Sequence, residues 1–314
     1  MNVGGFPHQV GGHFGLLICG GHVCKPLHTR EIAFYEQIGD RFAPFTAKFC
    51  GNVCVNIRST IEGTLTLSTD VDIPCHSRSV IDDEIAFRLS KTGRVEGDRF
   101  ENAWARQCQS KVVQKLLKGY TWFALLENIV APFVRPSIVD LKMGTRQYGD
   151  DASAQKRASQ TDKCQSSTSA QIGVRLVGMQ LYRKESQSFT YVNKYEGRQM
   201  SCETFRDILI QYLTTAGRLR TLTLLRKLSD LRKLLCMADG FRFFSSSLLI
   251  AFDSEAEDSD LDSSIDLRMI DFAHSTFHGF LDDSEYFGID EGYMLGVDSL
   301  LDVINCALKQ ESIT

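Results

Sequence analysis

Long hydrophobic runs are missing from this chain. Apolar stretches such as Ser247 to Phe252 and Phe123 to Leu126 are strand-sized and fall far short of the roughly 20 residues that a membrane-spanning helix needs. The segment Met1 to Val10 has no basic stretch followed by an apolar core and a small-residue cleavage site, so it does not predict a secretory signal. We therefore expect no membrane span and a location in the cytoplasm, the nucleus or both.

Metal-binding cysteine patterns are also missing. The ten cysteines include no CxxC pair and no Cys/His cluster at metal-binding spacing, which predicts reduced, mostly buried thiols and argues against a structural zinc site. The formal net charge of −4 excludes a generally basic nucleic-acid binder but is compatible with a local basic pocket. No nucleic-acid partner is expected, and the sequence identifies no protein partner.

The composition that remains is that of an ordinary globular protein. Hydrophobic residues make up 43% of the 314 residues and charged residues 24%, which separates the chain from disordered and fibrous classes. Single hydrophobic cores stop growing at roughly 250 to 300 residues. The length therefore accommodates either one large domain or two lobes.

The N-terminal part predicts a small antiparallel sheet. Gly20-Gly21 separates two strand-like runs, Leu16 to Cys19 and His22 to Lys25, and this arrangement is typical of a hairpin. The following region, Ile57 to Gln109, has few strong periodicities. We expect strands and a long connection there.

A helix is predicted directly after the hairpin. Thr29 is a candidate N-cap, and the apolar residues of the segment Arg30 to Ile38 recur at helical spacing. Glu31 falls on the inward side, where a carboxylate needs a partner, and Lys25 on the preceding strand is the natural one. Taken alone, such a pair is more often a structural ion pair than part of an active site.

Two further helices are predicted in the C-terminal half. The segment Phe205 to Leu213 has helical spacing with Gly217 as its terminator, and a second helix covers Leu222 to Met237. The apolar seam of that second helix predicts core packing and consists of Leu224, Leu228, Leu231 and Leu235. The polar run from Asp253 to Ser264 predicts a mobile loop, either phosphorylated or an inert linker.

The segment 136–144, PSIVDLKMG, is the most informative run. Strand alternation places Asp140 and Lys142 on one side and their apolar neighbours on the other. An acid and a base thus share one face of an otherwise apolar strand. From the residues alone, an ion pair and an active-site strand are equally open.

This run resembles a family signature. PxxxDxKxG is similar to the signature of the inositol polyphosphate kinase superfamily, and its continuation MGTRQYGDDAS (143–153) resembles the form found in inositol hexakisphosphate kinases. Further blocks agree along nearly the whole chain apart from 57–109. They are HQVGGH (8–13), VCKPL (23–27), STSAQIGVRLVGMQ (167–180), SSSLL (245–249) and LRMIDFAHSTF (267–277).

The resemblance implies a two-lobed, kinase-like α+β fold. An antiparallel-sheet N-lobe would cover residues 1–129 with a hinge at 127–129, and a larger mixed C-lobe would cover 130–314. ATP would bind in the cleft between the lobes together with Mg²⁺. Lys25, supported by Glu31, would contact the ATP phosphates, and Asp140 would bind the ribose hydroxyls. The hinge backbone that would take the adenine comprises Glu127, Asn128 and Ile129.

The resemblance also implies the catalytic roles. Lys142 would lie between the transferring phosphate and the inositol phosphate substrate, where one cation neutralises charge on both. Asp271 would bind the magnesium ion and act with Lys142 in catalysis, and His274 would touch the substrate. Ser246 and Ser247 would support the metal or phosphate site.

A heavily phosphorylated ring needs several cations. Basic residues cluster after the signature at Lys142, Arg146, Lys156, Arg157 and Lys163. If residues 153–163 are helical, Lys156 and Lys163 face the same way with Gln160 between them, forming a basic strip; a solvated helix face is the plain alternative. The chain has Ser159 and Asp162 where family members usually carry basic residues, which bears on substrate affinity and preference.

The activity implied is that of an ATP-dependent kinase that adds a phosphoryl group to a phosphate of inositol hexakisphosphate and forms a diphosphate. One alternative is a multikinase that acts on ring hydroxyls. A second alternative is a catalytically weak scaffold that acts through protein contacts. The presence of Lys25, Asp140, Lys142 and Asp271 argues against the scaffold.

Overall fold

Two antiparallel sheets form the framework of the protein. The computed structural model of the chain describes residues 1–12, 14–70, 86–90, 95–97, 102–257 and 261–310. Helices accompany both sheets, so the predicted α+β class is confirmed. In the described part of the chain, no helix is both long and apolar enough to cross a membrane.

The first sheet contains nine described strands from the N-terminal part. They are β1 (Asn2–Gly5), β2 (Leu17–Cys19), β3 (His22–Pro26), β4 (Phe49–Cys54), β5 (Asn56–Ser59), β6 (Thr64–Ser68), β7 (Phe87–Leu89), β8 (Val95–Gly97) and β9 (Trp122–Glu127). Their order is β4-β9-β3-β2-β1-β6-β7-β8, with β5 also paired to β6. All neighbours are antiparallel.

The second sheet comes from the C-terminal part. Its strands are β10 (Pro136–Met143), β11 (Val174–Arg183), β12 (Ser188–Val192), β13 (Ser247–Asp253) and β14 (Ile265–Ile270). The order β12-β11-β10-β13-β14 places the signature strand β10 at the centre, with antiparallel partners on both sides.

The described helices pack around these sheets. They are α1 (Thr29–Gln37), α2 (Ala103–Leu117), α3 (Ala154–Gln165), α4 (Ser169–Ile172), α5 (Lys194–Gln199), α6 (Cys202–Ala216), α7 (Arg218–Cys236), α8 (Leu261–Ser264) and α9 (Glu291–Gln310), with a 3₁₀ helix at Asp40–Phe45.

The predicted hairpin is present. β2 and β3 pair with Cys19 opposite His22, and the two intervening glycines have φ of 53° and 77°, a conformation that only glycine adopts at little cost. β3 then pairs with β9, so that Lys25 lies opposite Ala124. The hairpin thus places Lys25 in the middle of the sheet.

The main core lies on one face of the second sheet. The apolar residues of β10, Val139, Leu141 and Met143, are fully buried there together with residues of α6, α7 and α9. The four predicted leucines of α7 are buried as well, each contributing roughly 2 kcal/mol of hydrophobic stabilisation. Because this face of β10 is apolar, Asp140 and Lys142 are directed to the opposite face, as the alternation predicts.

Helix boundaries differ from the prediction in detail. Thr29 is the first residue of α1, and His28 occupies the N-cap position without a capping side-chain bond, so the assignment of Thr29 as N-cap was wrong. The helix predicted over 205–213 extends over the whole of α6 and ends at Gly217 as expected. The helix predicted over 222–237 begins four residues earlier, at Arg218.

Two weakly patterned regions contain more regular structure than expected. Strands β5 to β8 lie within the segment 57–109 or border it, as predicted, but α2 was not predicted there. Residues 71–85, 91–94 and 98–101 of this segment, where the long connection was expected, lie outside the described residues. In the acidic run 253–264, Asp253 accepts bonds from the amides of Val134 and Arg135, both at 2.9 Å, and residues 261–264 form α8. The ends of the predicted mobile loop are therefore ordered, and residues 258–260 lie outside the described residues.

The cysteines differ in burial. The nine described cysteines are free thiols, and four of them, Cys19, Cys24, Cys108 and Cys164, are buried. The prediction of mostly buried thiols therefore holds for fewer than half of them.

Candidate active site

A cavity of about 510 Å³ lies between the two sheets. β3, α1, the end of β9, β10 and the segment after β14 all contribute to its wall. Nine of the residues singled out in the sequence line it, namely Lys25, Glu31, Glu127, Asn128, Ile129, Asp140, Lys142, Asp271 and His274. Its volume falls within the range of small-molecule and cofactor sites.

Lys25 joins the two sheets across this cavity. Its Nζ lies 2.7 Å from Glu31 Oε1 on α1 and 2.5 Å from Asp271 Oδ1. Burial by itself would lower the pKa of Lys25, but Asp271 and Glu31 together outweigh burial and raise that pKa above its ordinary value. The ammonium group therefore stays charged, as a ligand for anionic phosphates requires.

Glu31 also binds the segment that follows β14. Its side chain is buried, and Oε1 accepts a 3.0 Å bond from the backbone amide of Phe272. The predicted pair with Lys25 is thus confirmed as a contact. It forms part of a network that also includes the segment directly after β14.

Asp271 is the residue in this network with unusual backbone geometry. It follows β14 directly and has φ of +66°, the left-handed region that costs a non-glycine residue of order 1–3 kcal/mol. Such a conformation persists only where the surroundings hold it. Asp271 lines both this cavity and a smaller one beside it.

Asp140 and Lys142 enter the cavity from β10. Burial first, and then the nearby charge of Asp271, raise the pKa of Asp140 to about 6, although Lys142 and a hydrogen bond from Ser247 oppose the shift. Within the described residues, Asp140 Oδ1 has no hydrogen-bond partner. This oxygen is therefore available to accept a hydrogen bond from a bound ligand.

The other carboxylate oxygen of Asp140, Oδ2, lies so close to Gly11 that position 11 requires glycine. A Cβ atom at Gly11 would lie 2.0 Å from Asp140 Oδ2, so no larger residue fits against this strand. The glycine-rich segment therefore packs directly against Asp140.

Lys142 lies beside Asp140 and reaches the same space. Its Nζ donates a hydrogen bond to the carbonyl of Ser245. Burial lowers the pKa of Lys142, while Asp271 and then Asp140 oppose that change. An ammonium group that lines both cavities is suited to binding an anionic ligand there.

The smaller cavity, of about 100 Å³, brings in three cations that the sequence analysis did not single out. Arg175, Lys194 and Arg198 line it together with Lys142 and Asp271. Among the described side chains, Arg175 Nη1 and Arg198 Nε are buried without a partner. Burial, followed by Arg198, lowers the pKa of Arg175. The cavity therefore carries excess positive charge next to Lys142.

Only Arg175 had a signal in the sequence, because it falls inside the block at 167–180. Lys194 and Arg198 belong to the short helix α5, which packs so closely on β11 that a Cβ at Gly197 would lie 2.2 Å from the Leu176 carbonyl oxygen. No local sequence pattern predicts that α5 packs against β11 and brings Lys194 and Arg198 to the cavity.

His274 lines the main cavity, and Lys156 on α3 contacts His274 from outside that lining. Lys156 Nζ lies 3.1 Å from His274 Nε2, and His274 Nδ1 lies 3.6 Å from Asp151 Oδ1. Burial, followed by the charge of Lys156, lowers the pKa of His274 to about 4, so its ring is neutral at pH 7. The ring of His28 also faces His274, with centroids 6.5 Å apart.

The basic strip predicted on α3 is present in part. α3 begins after Ser153, whose side chain accepts a bond from the Lys156 amide. Gln160 and Lys163 are both half-buried, and Lys163 contributes to lowering the pKa of Lys194. Lys163 therefore lies near Lys194, whereas Lys156 lies beside His274.

Two predicted substrate residues are engaged elsewhere in this structure. Arg146 pairs with Asp150 at 2.5 Å and with the Tyr286 hydroxyl at 3.0 Å, and its guanidinium lies 3.9 Å from the centre of the Phe244 ring. Arg157 donates to the carbonyls of Ala152 and Asp150 at 2.8 and 2.6 Å. Both arginines hold the loop that precedes α3.

The two serines predicted as supports differ in position. Ser246 is fully buried and donates to the carbonyl of Phe243 at 2.8 Å, a contact that closes a turn. Ser247 lines the smaller cavity and bonds to Asp140. Ser247 is thus the serine that touches the site.

The residues present fit a nucleotide with a magnesium ion. The described residues contain no group of three or more His, Cys, Asp or Glu placed to hold a metal. Mg²⁺ in kinases is normally held by one or two carboxylates together with substrate phosphates. Asp271, which contacts Lys25, supplies one such carboxylate, and the remaining oxygen donors would come from the phosphates of the nucleotide.

Comparison with known proteins gives a consistent result. The family profile described as inositol polyphosphate kinase matches residues 123–305. Inositol hexakisphosphate kinase 3 of Mus musculus is 34% identical, over 95% of this chain and 93% of its own length. Inositol hexakisphosphate kinase 2 of Homo sapiens is 32% identical, over 98% and 95%.

A solved structure shares the fold. The inositol phosphate multikinase Ipk2 of S. cerevisiae, in complex with ADP and Mn²⁺, superposes with a TM-score of 0.60 at 19% identity. The match covers 91% of this chain and 99% of the yeast chain. At this identity the match is evidence for a shared architecture alone.

Proposed function

Because this chain belongs to the inositol polyphosphate kinase family, we propose that it is an inositol hexakisphosphate kinase. It would move the γ-phosphoryl group of ATP onto a phosphate of inositol hexakisphosphate and form a diphosphate. These matches confirm the family that was predicted from the sequence. The observation that carries the proposal is the meeting of Lys25, Asp140, Lys142 and Asp271 on one cavity in a chain that matches hexakisphosphate kinases over nearly all of its length.

The nucleotide would occupy the main cavity with its phosphates toward Lys25. Lys25 stays charged and is fixed by two carboxylates, so its ammonium is preorganised rather than recruited on binding. Asp140, with an unpartnered oxygen, would accept the ribose hydroxyls. The segment Glu127, Asn128 and Ile129, at the end of β9, would border the adenine.

The transfer needs no covalent protein intermediate. An oxygen of the acceptor phosphate forms a bond to the γ-phosphorus, and the bond to the bridging oxygen of ADP breaks, so ADP leaves with its electron pair. When bound, ATP supplies the transferred group and Mg²⁺ neutralises its oxygens. Lys142, which lines both cavities, would offset the negative charge that the acceptor and the transferring group bring together.

The cations around the smaller cavity support a highly phosphorylated acceptor. Lys142, Arg175, Lys194 and Arg198 line it, and Lys163 on α3 is near enough to Lys194 to lower the pKa of Lys194. Several cations gathered around one cavity match a ligand with many phosphates better than one with few. This favours the hexakisphosphate over the lower phosphates that the multikinase alternative would use.

Lys156→Ala tests the substrate side of the site. We expect KM for the inositol phosphate to rise about tenfold, the cost of one charged hydrogen bond. We expect kcat to change little, because Lys156 is exposed and contacts His274 rather than Lys142 or Asp271. Steady-state kinetics with varied inositol phosphate would measure this. Lys184→Ala, on the exposed loop after β11, is the control, and an unchanged KM in Lys156→Ala would remove that residue from the substrate site.

The function itself is tested with purified protein, Mg²⁺ and labelled ATP. Inositol hexakisphosphate and inositol trisphosphate are offered separately, and the products are separated by charge. A product more anionic than the hexakisphosphate establishes the diphosphate-forming activity. Transfer to the trisphosphate alone would assign the protein to the kinases that act on ring hydroxyls, and transfer to neither would favour the scaffold.

A further inference from the structure

Two consecutive side chains of helix α1, Arg30 and Glu31, form hydrogen bonds with the segment after β14. We call residues 271–283 the clamped loop. Glu31 accepts the amide of Phe272 at 3.0 Å, and Arg30 donates to the carbonyl of Ser275 at 3.0 Å. The two contacts enclose the short stretch that carries His274 and lies next to Asp271.

Arg30 also holds the far end of the clamped loop. Its Nη1 lies 2.8 Å from Asp283 Oδ1, and its Nη2 contacts Asp283 Oδ2, so the pair is bidentate. The side chains of Arg30 and Asp283 are only 13% and 9% exposed, and the guanidinium lies 5.1 Å from the centre of the Phe280 ring. Water therefore cannot easily replace either partner.

The contacts of Arg30 and Glu31 restrain the backbone next to Asp271. Asp271 has a left-handed backbone conformation, φ +66°, which relaxes unless neighbouring contacts fix it. Lys25 contacts its carboxylate, whereas the bonds of Glu31 and Arg30 restrain the backbone that follows. Among the described residues, the hydrogen bonds between α1 and this backbone are those of Glu31 to the Phe272 amide and of Arg30 to the Ser275 carbonyl, so loss of Arg30 would remove one of the two.

Aromatic packing also holds α1 against the clamped loop. Phe34 of α1 is fully buried and stacks on Phe272, with ring centroids 4.9 Å apart, and it also meets Phe280 at 5.5 Å. Both of those phenylalanines belong to the clamped loop. Movement of the loop therefore requires breaking both the aromatic contacts and the ion pair.

We propose that Arg30, through Asp283 and the Ser275 carbonyl, is a positioning residue that keeps Asp271 and His274 turned toward the cavity. The proposal rests on the proposed kinase function, because Asp271 is taken to bind the metal of the nucleotide. Arg30 itself touches neither nucleotide nor substrate. The simpler alternative is that the pair stabilises the fold without affecting the geometry of the site.

The test compares Arg30→Met and Asp283→Asn with the unmodified protein. Binding of Mn²⁺ in the presence of ADP, measured by calorimetry without turnover, should weaken about tenfold in each variant, and kcat should fall about 10- to 100-fold, the range seen when residues that orient a metal ligand are lost. Raising the Mg²⁺ concentration should restore part of the lost rate. The double variant should be no worse than either single one, because both changes remove the same pair.

The matched control is Arg232→Met, which breaks an exposed ion pair with Asp298 on the far helices and should change neither quantity. Arg30→Lys, which keeps the charge but not the bidentate contact, should recover part of the Mn²⁺ binding and provides a milder variant if Arg30→Met does not fold. A lower melting temperature with unchanged Mn²⁺·ADP binding and unchanged kcat would overturn the proposal. Absence of transfer by the unmodified protein would instead contradict the kinase function, and the calorimetric comparison would still decide the role of Arg30.

Discussion

Lys142→Ala is expected to lower kcat by about 10³-fold, the loss found when one preorganised charge-stabilising group is removed from an active site. Lys142 lines both cavities, and it is the cation that lies next to both Asp140 and Asp271. Removing it leaves the acceptor phosphate and the transferring group to repel each other. The same assay of labelled diphosphate product measures the effect.

The expected result is specific to chemistry rather than folding. Among the described residues, Lys142 makes one hydrogen bond, to the Ser245 carbonyl, and burial already disfavours its charge. Its loss should therefore leave the melting temperature nearly unchanged. Lys233→Ala, which removes an exposed lysine paired with Asp230, is the matched control. Turnover near that of the unmodified protein in Lys142→Ala would contradict the role assigned to Lys142.

Asp271→Asn is expected to have an effect of similar size, about 10³-fold in kcat, equivalent to roughly 4 kcal/mol of charge stabilisation in the transition state. Asparagine keeps the shape of the side chain but loses the negative charge that a magnesium ion and Lys25 both require. Binding of Mn²⁺ with ADP should be lost as well, because the described residues offer no cluster of three or more His, Cys, Asp or Glu in its place.

The comparison variant for Asp271→Asn is Asp140→Asn. Asp140 is expected to bind ribose rather than metal, so its loss should raise KM for ATP while much of the Mn²⁺ binding remains. If Asp271→Asn binds Mn²⁺·ADP as well as the unmodified protein does, the metal role of Asp271 is wrong. If Asp271→Asn makes no product but retains full biological activity, the scaffold alternative gains support.

Local patterns allowed a good part of the structure to be predicted. The alternation along β10 correctly placed Asp140 and Lys142 opposite the apolar core face, and the Gly20-Gly21 pair correctly marked the hairpin. The leucine seam of α7 is buried as expected. Each of these features depends on neighbours within a few residues, where side-chain period and backbone preference act directly.

Helix α2 shows where such patterns fail. Its buried face includes Gln109, which is fully buried and donates to the Leu16 carbonyl at 2.5 Å. A polar residue on the inward side breaks the hydrophobic period that identifies an amphipathic helix. The partner that makes this burial tolerable lies 93 residues away in the sequence, so the helix could not be recognised from its own residues.

The sequence by itself therefore determined the family, the strand that carries Asp140 and Lys142, and the set of charged residues available for catalysis. Only the tertiary structure decided which of those charges meet. Lys25 and Asp271 are 246 residues apart, Arg30 and Asp283 are 253 apart, and Arg146 pairs with Asp150 and Tyr286 rather than facing the main cavity. The physical reason is that the burial and pairing of a charge depend on which distant elements pack over it, and this information is absent from local spacing.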